Sequence, residues 1–359
     1  MSQDKRYGLI LAGGRGTRFW PRSRRRHAKQ VIGIVEPRTM IRATVDRLRS
    51  LIPAERLWVL TNPYLRDEII RHLPEIPRAQ ILAEPAQRNT APAIGLAAHI
   101  LRSIDPDAVM GVFPSDHVIR RPKRFLQFGR AAFRAAGDGR MVVLGIQPRW
   151  AETGYGYIEF PAGVKAGSLE PVAIRRFREK PNAATAKKFV AAKRFFWNAG
   201  MFFWRADVLL DALRRYQPKT AVILGSLPAF GARDFQAKLG KAFPLCENIS
   251  IDYAVLERAG NVAGLACDDI GWNDVGSWNA VYELMPRDGD GNVARSQVVQ
   301  LGSRGNYIDA GGKLVALVGV ENLIVVDTPD ALLVARREDA QQVSDIVKQL
   351  ERAKREDLL

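Results

Sequence analysis

Through the first part of the chain, short continuous apolar runs alternate with longer stretches in which apolar residues return every three or four positions. Runs of the first kind read as buried strands, and stretches of the second as amphipathic helices. The pattern predicts strands at Tyr7–Leu11, Leu57–Leu60, Gln80–Ala83, Ala108–Phe113 and Met141–Gly145. Between them it predicts helices at Thr39–Arg49, Leu65–His72, Thr90–Ile104 and Phe125–Ala136. Strands spaced by helices in this way give βαβ units, hence an α/β fold whose mostly parallel sheet carries helices on both faces. In such sheets the ligand occupies the crevice beyond the carboxyl ends of the strands. The loops after Leu11, Ala83 and Phe113 are therefore expected to converge on one site.

The middle of the chain is mixed. Tyr157–Phe160, Val172–Arg178 and Met201–Trp204 read as strands; Ala184–Ala192, Ala206–Tyr216, Asp234–Lys241 and Asp252–Arg258 read as helices. Beyond Pro286 the character changes. Arg287–Asn292 (RDGDGN) is a turn-forming run. Short β-rich pieces follow at Val298–Leu301, Asn306–Asp309, Leu314–Val318, Leu323–Val326 and Ala331–Val334, and Ala340–Leu350 closes the chain as a helix. Two units are expected: a catalytic domain over residues 1–286 and a small β-rich domain over 287–359 that ends in a helix. The second is either a β-sandwich or a short, possibly left-handed β-helix, and no strict repeat chooses between them.

Composition adds limits. Of 359 residues, 47% are hydrophobic and 26% charged, proportions of a globular protein rather than a disordered or fibrous one. Two cysteines, Cys246 and Cys267, make neither a disulfide framework nor a cysteine-only zinc site, and they suit a reducing compartment. No apolar run approaches the ~20 residues of a membrane span. The polar stretch Met1 to Tyr7 does not resemble a signal peptide. A cytoplasmic protein without a membrane partner is expected. Charge is the odd quantity: 54 Lys and Arg against 38 Asp and Glu leave +16. That balance raises nucleic acid as a partner. Yet the basic residues are scattered, and the one dense cluster is Arg22, Arg24, Arg25 and Arg26, directly after a glycine-rich loop. An anionic small substrate accounts for the chain better than DNA or RNA.

The candidate chemistry lies at the predicted strand ends. The first strand empties into Ala12-Gly13-Gly14-Arg15-Gly16-Thr17-Arg18. A glycine-rich turn there exposes backbone N–H groups to phosphates. Neither the Walker A ending nor the dinucleotide G-x-G-x-x-G spacing is present. A second constellation, Glu84-Pro85-Ala86-Gln87-Arg88-Asn89-Thr90, joins a strand to a helix. Asn89 or Thr90 can cap that helix, with Thr90 the first choice, which leaves Glu84, Gln87 and Arg88 unexplained. Third, Phe113-Pro114-Ser115-Asp116-His117 sets Asp116 at a strand end, where a carboxylate can hold Mg²⁺ together with phosphate oxygens. With four histidines and no paired spacing, His117 reads as a structural hydrogen-bonding residue more readily than as a zinc ligand or base.

Ala12–Pro21, with Ser23-Arg24 and Lys29-Gln30 beyond it, resembles the opening signature of the sugar-1-phosphate nucleotidylyltransferases. Its Trp-Pro-x-Ser-Arg extension is similar to the mannose-1-phosphate guanylyltransferase branch. The resemblance runs along essentially the whole chain, and what it implies is specific. The fold becomes a Rossmann-like nucleotidyltransferase sheet. Ala12, Gly13, Gly14, Gly16, Thr17 and Ser115 would bind the nucleotide, with Glu84, Gln87, Asn89 and Thr90 at the base. Arg18 and Lys29 would hold phosphates about the reacting phosphorus. One departure is Ala28, where the family usually has proline before the lysine. Gly271-Trp272-Asn273-Asp274-Val275-Gly276-Ser277-Trp278 matches a block whose aspartate, Asp274, joins Asp116 on Mg²⁺ or another divalent cation. Tyr155, Gly156, Glu179, Lys180 and Asn198 would form the sugar-phosphate pocket. Asp252, in Ser250–Ala254, matches a family segment or serves simply as a helix N-terminal carboxylate.

The implied reaction joins GTP and mannose 1-phosphate to give GDP-mannose and pyrophosphate. It uses Arg18, Lys29, Asp116 and Lys180 and needs no protein nucleophile. A chain ending at Leu359 is not expected to carry the phosphomannose isomerase module of some relatives. Two other readings stand beside this one: a sister enzyme using another nucleotide or hexose phosphate, and a silent subunit that senses nucleotide sugars. A homodimer is expected, with the β-rich tail available for pairing.

Overall fold

The computed structural model describes residues 5–359. Residues 1–4 of the polar N-terminal stretch lie outside them. The chain enters at β1 (Arg6–Leu11) and continues through α1 (Met40–Leu48), β2 (Leu57–Thr61), α2 (Arg66–His72), β3 (Ile81–Ala83), α3 (Thr90–Ile104) and β4 (Val109–Pro114). Next come β5 (Val118–Ile119), α4 (Pro122–Gly137), β6 (Met141–Ile146), β7 (Tyr157–Glu159), β8 (Val172–Ala173), β9 (Arg176–Arg178), α5 (Ala183–Ala191) and β10 (Phe195–Arg205). Then follow α6 (Ala206–Tyr216), α7 (Pro218–Gly225), α8 (Phe235–Ala242), β11 (Val262–Cys267), β12 (Trp272–Asn273) and α9 (Trp278–Leu284).

The central sheet has the order β3-β2-β1-β4-β10-β6-β11-β8, and along it every strand but β10 and β8 runs in the same direction. Side chains alternate between its two faces. In β1, Ile10 joins a core with α1, α2 and α4, while Tyr7 and Leu9 join another with α3 and α6. The chain leaves β1 for β2 and β3 on one side and returns to β4 on the other. The order therefore reverses between β1 and β4, where a doubly wound sheet opens its ligand crevice. There Leu11 pairs with Pro114, so the loops beginning at Ala12 and Ser115 are neighbours.

Several expectations change. Val172–Arg178 is not one strand but two, β8 on β11 and β9 on β7. Met201–Trp204 is part of the longer β10, whose register slips between Asn198 and Phe202. Asp252–Leu256 is a single π-helical turn.

The C-terminal part carries β13 (Val293–Ala294), β14 (Val298–Leu301), β15 (Tyr307–Asp309), β16 (Val315–Val318), β17 (Leu323–Asp327), β18 (Leu332–Arg336) and α10 (Val343–Arg352). β13, β15 and β17 pair in parallel, as do β14 and β16. Parallel stacking of every second strand is the product of coiling, so the tail is a short β-helix closed by antiparallel β18. The antiparallel sandwich is excluded. Its core is shared with the first part: Phe19, Trp20, Trp278 and Tyr282 pack with Tyr307, Val326, Val343 and Val347.

Candidate active site

The glycine loop is held by its carbonyls. Gln30 Nε2 donates to Ala12 O (2.7 Å) and Gly14 O (2.9 Å), Thr61 Oγ1 donates to Ala12 O (3.0 Å), and Asn62 Nδ2 donates to Gly13 O (3.3 Å). The amides of Gly13, Gly14, Arg15, Gly16 and Thr17 donate to nothing among the described residues. A run of unpaired N–H groups past a strand end is suited to phosphate oxygens. Gly16 adopts φ +61°, and a Cβ there would fall 2.7 Å from Lys29 Cβ, so the turn admits only glycine without rearrangement.

A cavity of about 960 Å³ opens on this loop. Gly13, Gly14, Glu84, Gln87, Asn89 and Thr90 line it, which brings together the phosphate and base segments that the sequence separates. Burial pushes the Glu84 carboxyl up to about 8. Ala12, Gly16, Thr17 and Ser115 do not line this cavity; Ala12 and Ser115 are buried. Thr90 is not the cap. Asn89 is, accepting from Thr90 N at 2.9 Å, while the Thr90 hydroxyl accepts from Ile251 N at 2.9 Å. Arg88 donates to Pro244 O and so ties two segments together.

Next to the loop lies the carboxylate pair. The buried Lys29 ammonium donates to Asp116 Oδ2 at 2.8 Å and to Asp274 O at 2.8 Å, so the two acceptors lie no further apart than twice that distance. Burial pushes the Asp116 carboxyl up, but the Lys29 ammonium, His117 and a backbone hydrogen bond together outweigh it and hold the group below the usual carboxylate range. Burial takes His117 down to about 4 against the pull of Asp116 and Asp274, and its Nδ1 accepts from Trp272 Nε1 at 3.2 Å. That is the structural hydrogen bond expected of it. Among the described residues, Arg18 Nη1 reaches only Gly276 O, at 3.4 Å.

Tyr155 points to the carboxylates rather than standing free for a sugar. Its hydroxyl donates to Asp274 Oδ1 at 2.6 Å, and its ring meets Trp197 and Trp272 edge-on. Beyond it a second polar group gathers. Glu179 is pushed up to about 7, first by burial and then by Asp252; Lys180 Nζ stands 3.4 Å from Glu179 Oε1. Asn198 Nδ2 donates to Asp252 Oδ1 at 3.1 Å. A Cβ on Gly156 would come within 2.5 Å of Glu179 Oε2, so that glycine makes room for the carboxylate. Asp252 is more than a helix-end charge, because it faces Asn198 directly.

Among the described residues no three His, Cys, Asp or Glu side chains gather into a metal cage. Mg²⁺ needs none when phosphates and water supply the remaining ligands; one or two carboxylates suffice. Asp116 and Asp274 fit that demand. Asp274 Oδ2 accepts no hydrogen bond among the described residues, and a Cβ at Gly276 would sit 2.8 Å from it, so the glycine keeps that oxygen open. Sequence reasoning missed Gln30, Thr61 and Asn62 as the groups that set the loop. It also missed Tyr64, Arg25 and Asn248, which line the cavity. Gln30 stood in the signature, but the other partnerships are tertiary and leave no local pattern.

A doubly wound sheet whose first loop presents free amides beside an acidic pair is the frame of a protein that binds and transfers nucleotides. This chain belongs to the nucleotidyl transferase family: residues 7–291 match that family's model, and residues 296–350 match the MannoseP isomerase/GMP-like β-helix domain. It is 40% identical over 353 residues to the xanthan biosynthesis protein XanB of Xanthomonas campestris pv. campestris (strain B100), covering 97% of this chain and 73% of that protein. It is 38% identical to a mannose-1-phosphate guanylyltransferase of Escherichia coli (strain K12), covering 98% and 74% of the two chains. A solved structure from Thermus thermophilus, described as a mannose-1-phosphate geranyltransferase, superposes with a TM-score of 0.86 at 31% identity, covering 97% of this chain and all of that one. No helix among the described residues is long and apolar enough to cross a membrane.

Proposed function

We propose that this chain transfers the GMP unit of GTP to mannose 1-phosphate, forming GDP-mannose and releasing pyrophosphate. The observation that carries the reading is the Lys29 ammonium bound to the Asp116 carboxylate and to the backbone carbonyl of Asp274 beside a loop of unpaired amides. Similarity to relatives named mannose-1-phosphate guanylyltransferase supports the choice of substrates. In this reading the amides of Gly13 to Thr17 receive the triphosphate, while Glu84, Gln87, Asn89 and Thr90 meet the base. Ala12 and Ser115 support the loop from beneath. Glu179, Asn198 and Gly156 receive the hexose, Lys180 its phosphate, and Tyr155 orients Asp274. A phosphate oxygen of the sugar bonds to the α-phosphorus as the bond to the β-phosphate oxygen breaks. Lys29 and Arg18 stabilise the charge that develops there. A divalent cation, Mg²⁺ in the first instance, held by Asp116 and Asp274 when bound, supplies further charge compensation to the phosphates.

The test is pyrophosphate release across a grid of nucleotides and sugar phosphates. GTP with mannose 1-phosphate should lead. A clear preference for UTP or dTTP overturns the choice of base, and nucleotide-sugar binding without turnover favours a sensing subunit. Two buried, unpaired thiols suit a cytoplasmic location. We also propose a division at 286/287, which limited proteolysis would locate. A homodimer is supported by Val299, Leu301 and Val318, exposed on the β-helix; light scattering at the monomer mass would refute it.

A further inference from the structure

A polar cavity of about 760 Å³ opens beside the ribbon in which β12 pairs with β5, and it shares no lining residue with the cavity on the glycine loop. Arginine dominates its wall. Arg121 is neutralised, with Nη2 3.1 Å from Asp269 Oδ2. Arg120, Arg149, Arg287 and Arg337 have no carboxylate partner among the described residues. Arg120 donates to Leu284 O, Arg149 to Trp272 O at 3.4 Å, and Arg337 to Asn279 Oδ1 at 2.9 Å and Gly305 O at 3.0 Å. Arg287 has no hydrogen-bond partner among the described residues. Its guanidinium lies 4.6 Å from the Tyr282 ring centroid, and that of Arg337 lies 3.5 Å from the same centroid. The remaining acid on the wall, Glu283, accepts from Asn279 Nδ2 at 3.1 Å.

Four guanidiniums facing one space repel one another, and a multiply charged anion between them relieves that repulsion. Their planar forks match phosphate oxygens, with two parallel N–H donors per group. At the rim Trp150 is 41% exposed and lies 5.4 Å from the Arg149 guanidinium, leaving an aromatic surface for a flat ring. We infer that this cavity is a second anion site, separate from the proposed GTP cavity, that takes a polyphosphate-bearing small molecule. The inference stands on the cavity itself and does not depend on which reaction the chain catalyses.

Calorimetry with inorganic tripolyphosphate and, separately, with ADP tests it on the full chain. The comparison is wild type against the double variant Arg149→Ala/Arg287→Ala, which loses one 3.4 Å backbone bond and the ring contacts with Trp150 and Tyr282. Wild type should show a binding event that weakens by at least about tenfold in the double variant, two charge-assisted contacts being removed. Turnover and melting temperature should stay unchanged. Trp150→Ala should weaken ADP but not tripolyphosphate if the ligand is a nucleotide; equal effects of zero on both mark a ring-free polyphosphate. Superimposable isotherms for wild type and the double variant overturn the proposal, as does the absence of any saturable event beyond the GTP-competable one.

Discussion

Replacing Lys29 with methionine separates what its charge does for folding from what it does for catalysis. Methionine keeps an unbranched stem, so the contacts under Gly16 survive while the ammonium goes. The lost interactions are two, Asp116 Oδ2 and Asp274 O, each at 2.8 Å. Removing one partner of a fully buried pair costs ~3–5 kcal/mol. The Lys29 side chain is 7% exposed but that of Asp116 is 34% exposed, so water retains part of the carboxylate's solvation. The cost therefore falls to about 1–3 kcal/mol. Catalysis should suffer more, since one preorganised charge-stabilising donor is worth about 10²–10³ in kcat.

The two effects diverge when Mg²⁺ is added. With the ammonium gone, the Asp116 carboxylate lacks its counterion, and a divalent cation between Asp116 and Asp274 should bind more strongly. Binding to the folded state alone stabilises it, by about 2.7 kcal/mol at a hundred times the dissociation constant. The denaturation midpoint of Lys29→Met should therefore recover with Mg²⁺ further than that of wild type does. Its kcat should not recover if Lys29 has the proposed role, because the metal cannot replace a donor that faces the phosphates. Denaturant titrations with and without Mg²⁺, alongside initial rates of pyrophosphate release, give both quantities. A kcat within about threefold of wild type, together with a Mg²⁺-insensitive midpoint, would refute the placement of Lys29 between the acids and the reacting phosphate.

Glu84, raised to about 8 by burial, is mostly protonated at pH 7; if its carboxylate meets guanine, GTP affinity should rise about fivefold between pH 7 and 8 and level off above. Because its folded value exceeds the unfolded one, it also costs stability as pH climbs from the ordinary 4.5 towards 8, and Glu84→Gln should flatten both profiles in calorimetry and denaturation. Gly16→Ala combines a left-handed φ with a Cβ 2.7 Å from Lys29 Cβ, so denaturation should show a loss of about 2–4 kcal/mol, and an unchanged midpoint would contradict the loop geometry. Tyr155→Phe removes the 2.6 Å bond to Asp274 Oδ1 and should raise the Mg²⁺ needed for half-maximal rate by about tenfold while sparing GTP affinity. An identical Mg²⁺ curve would take Tyr155 out of that role.

What could be read in advance was local. α3 and α6 fall where their 3.6-residue periodicity put them, because a long apolar face is specified within the segment itself. β11 was missed although it sits inside the sheet: Val-Ala-Gly-Leu-Ala-Cys is rich in small residues of weak strand preference, and its position comes from pairing with β6. β10 was cut short because Asn198-Ala199-Gly200 breaks its alternation, and the fold absorbs that break as a register slip beside Pro114 and His117. The candidate site divides in the same way. Its glycines and Asp116 stand at predicted strand ends, whereas Asp274 is marked only by the resemblance of its block to the family. The bonds of Tyr155 to the Asp274 carboxylate, and of Lys29 to the Asp116 carboxylate and the Asp274 carbonyl, cross long stretches of chain and exist only after folding.

The arginine cluster shows how a sequence signal can be sound and its first interpretation misdirected. Arg22 pairs with the buried Asp309, Arg24 with Asp330 at 2.8 Å and with Leu358 O at 2.8 Å, Arg25 with Glu356, and Arg15 with Glu351. All five of those partners belong to the C-terminal part. Pairs open to solvent, such as Arg25 with Glu356, contribute little free energy each; only the Arg22 pair has a buried acid. The apolar contact beneath them, Phe19, Trp20 and Trp278 against Tyr307 and Val347, is what binds the parts. The charges instead fix how the β-helix and α10 seat on the segment running from Arg15 to Arg25. That segment continues the loop whose free amides face the proposed triphosphate. A β-helix clamped there restrains the loop from behind, which is a reason for a catalytic sheet to carry a domain that supplies none of the proposed catalytic residues.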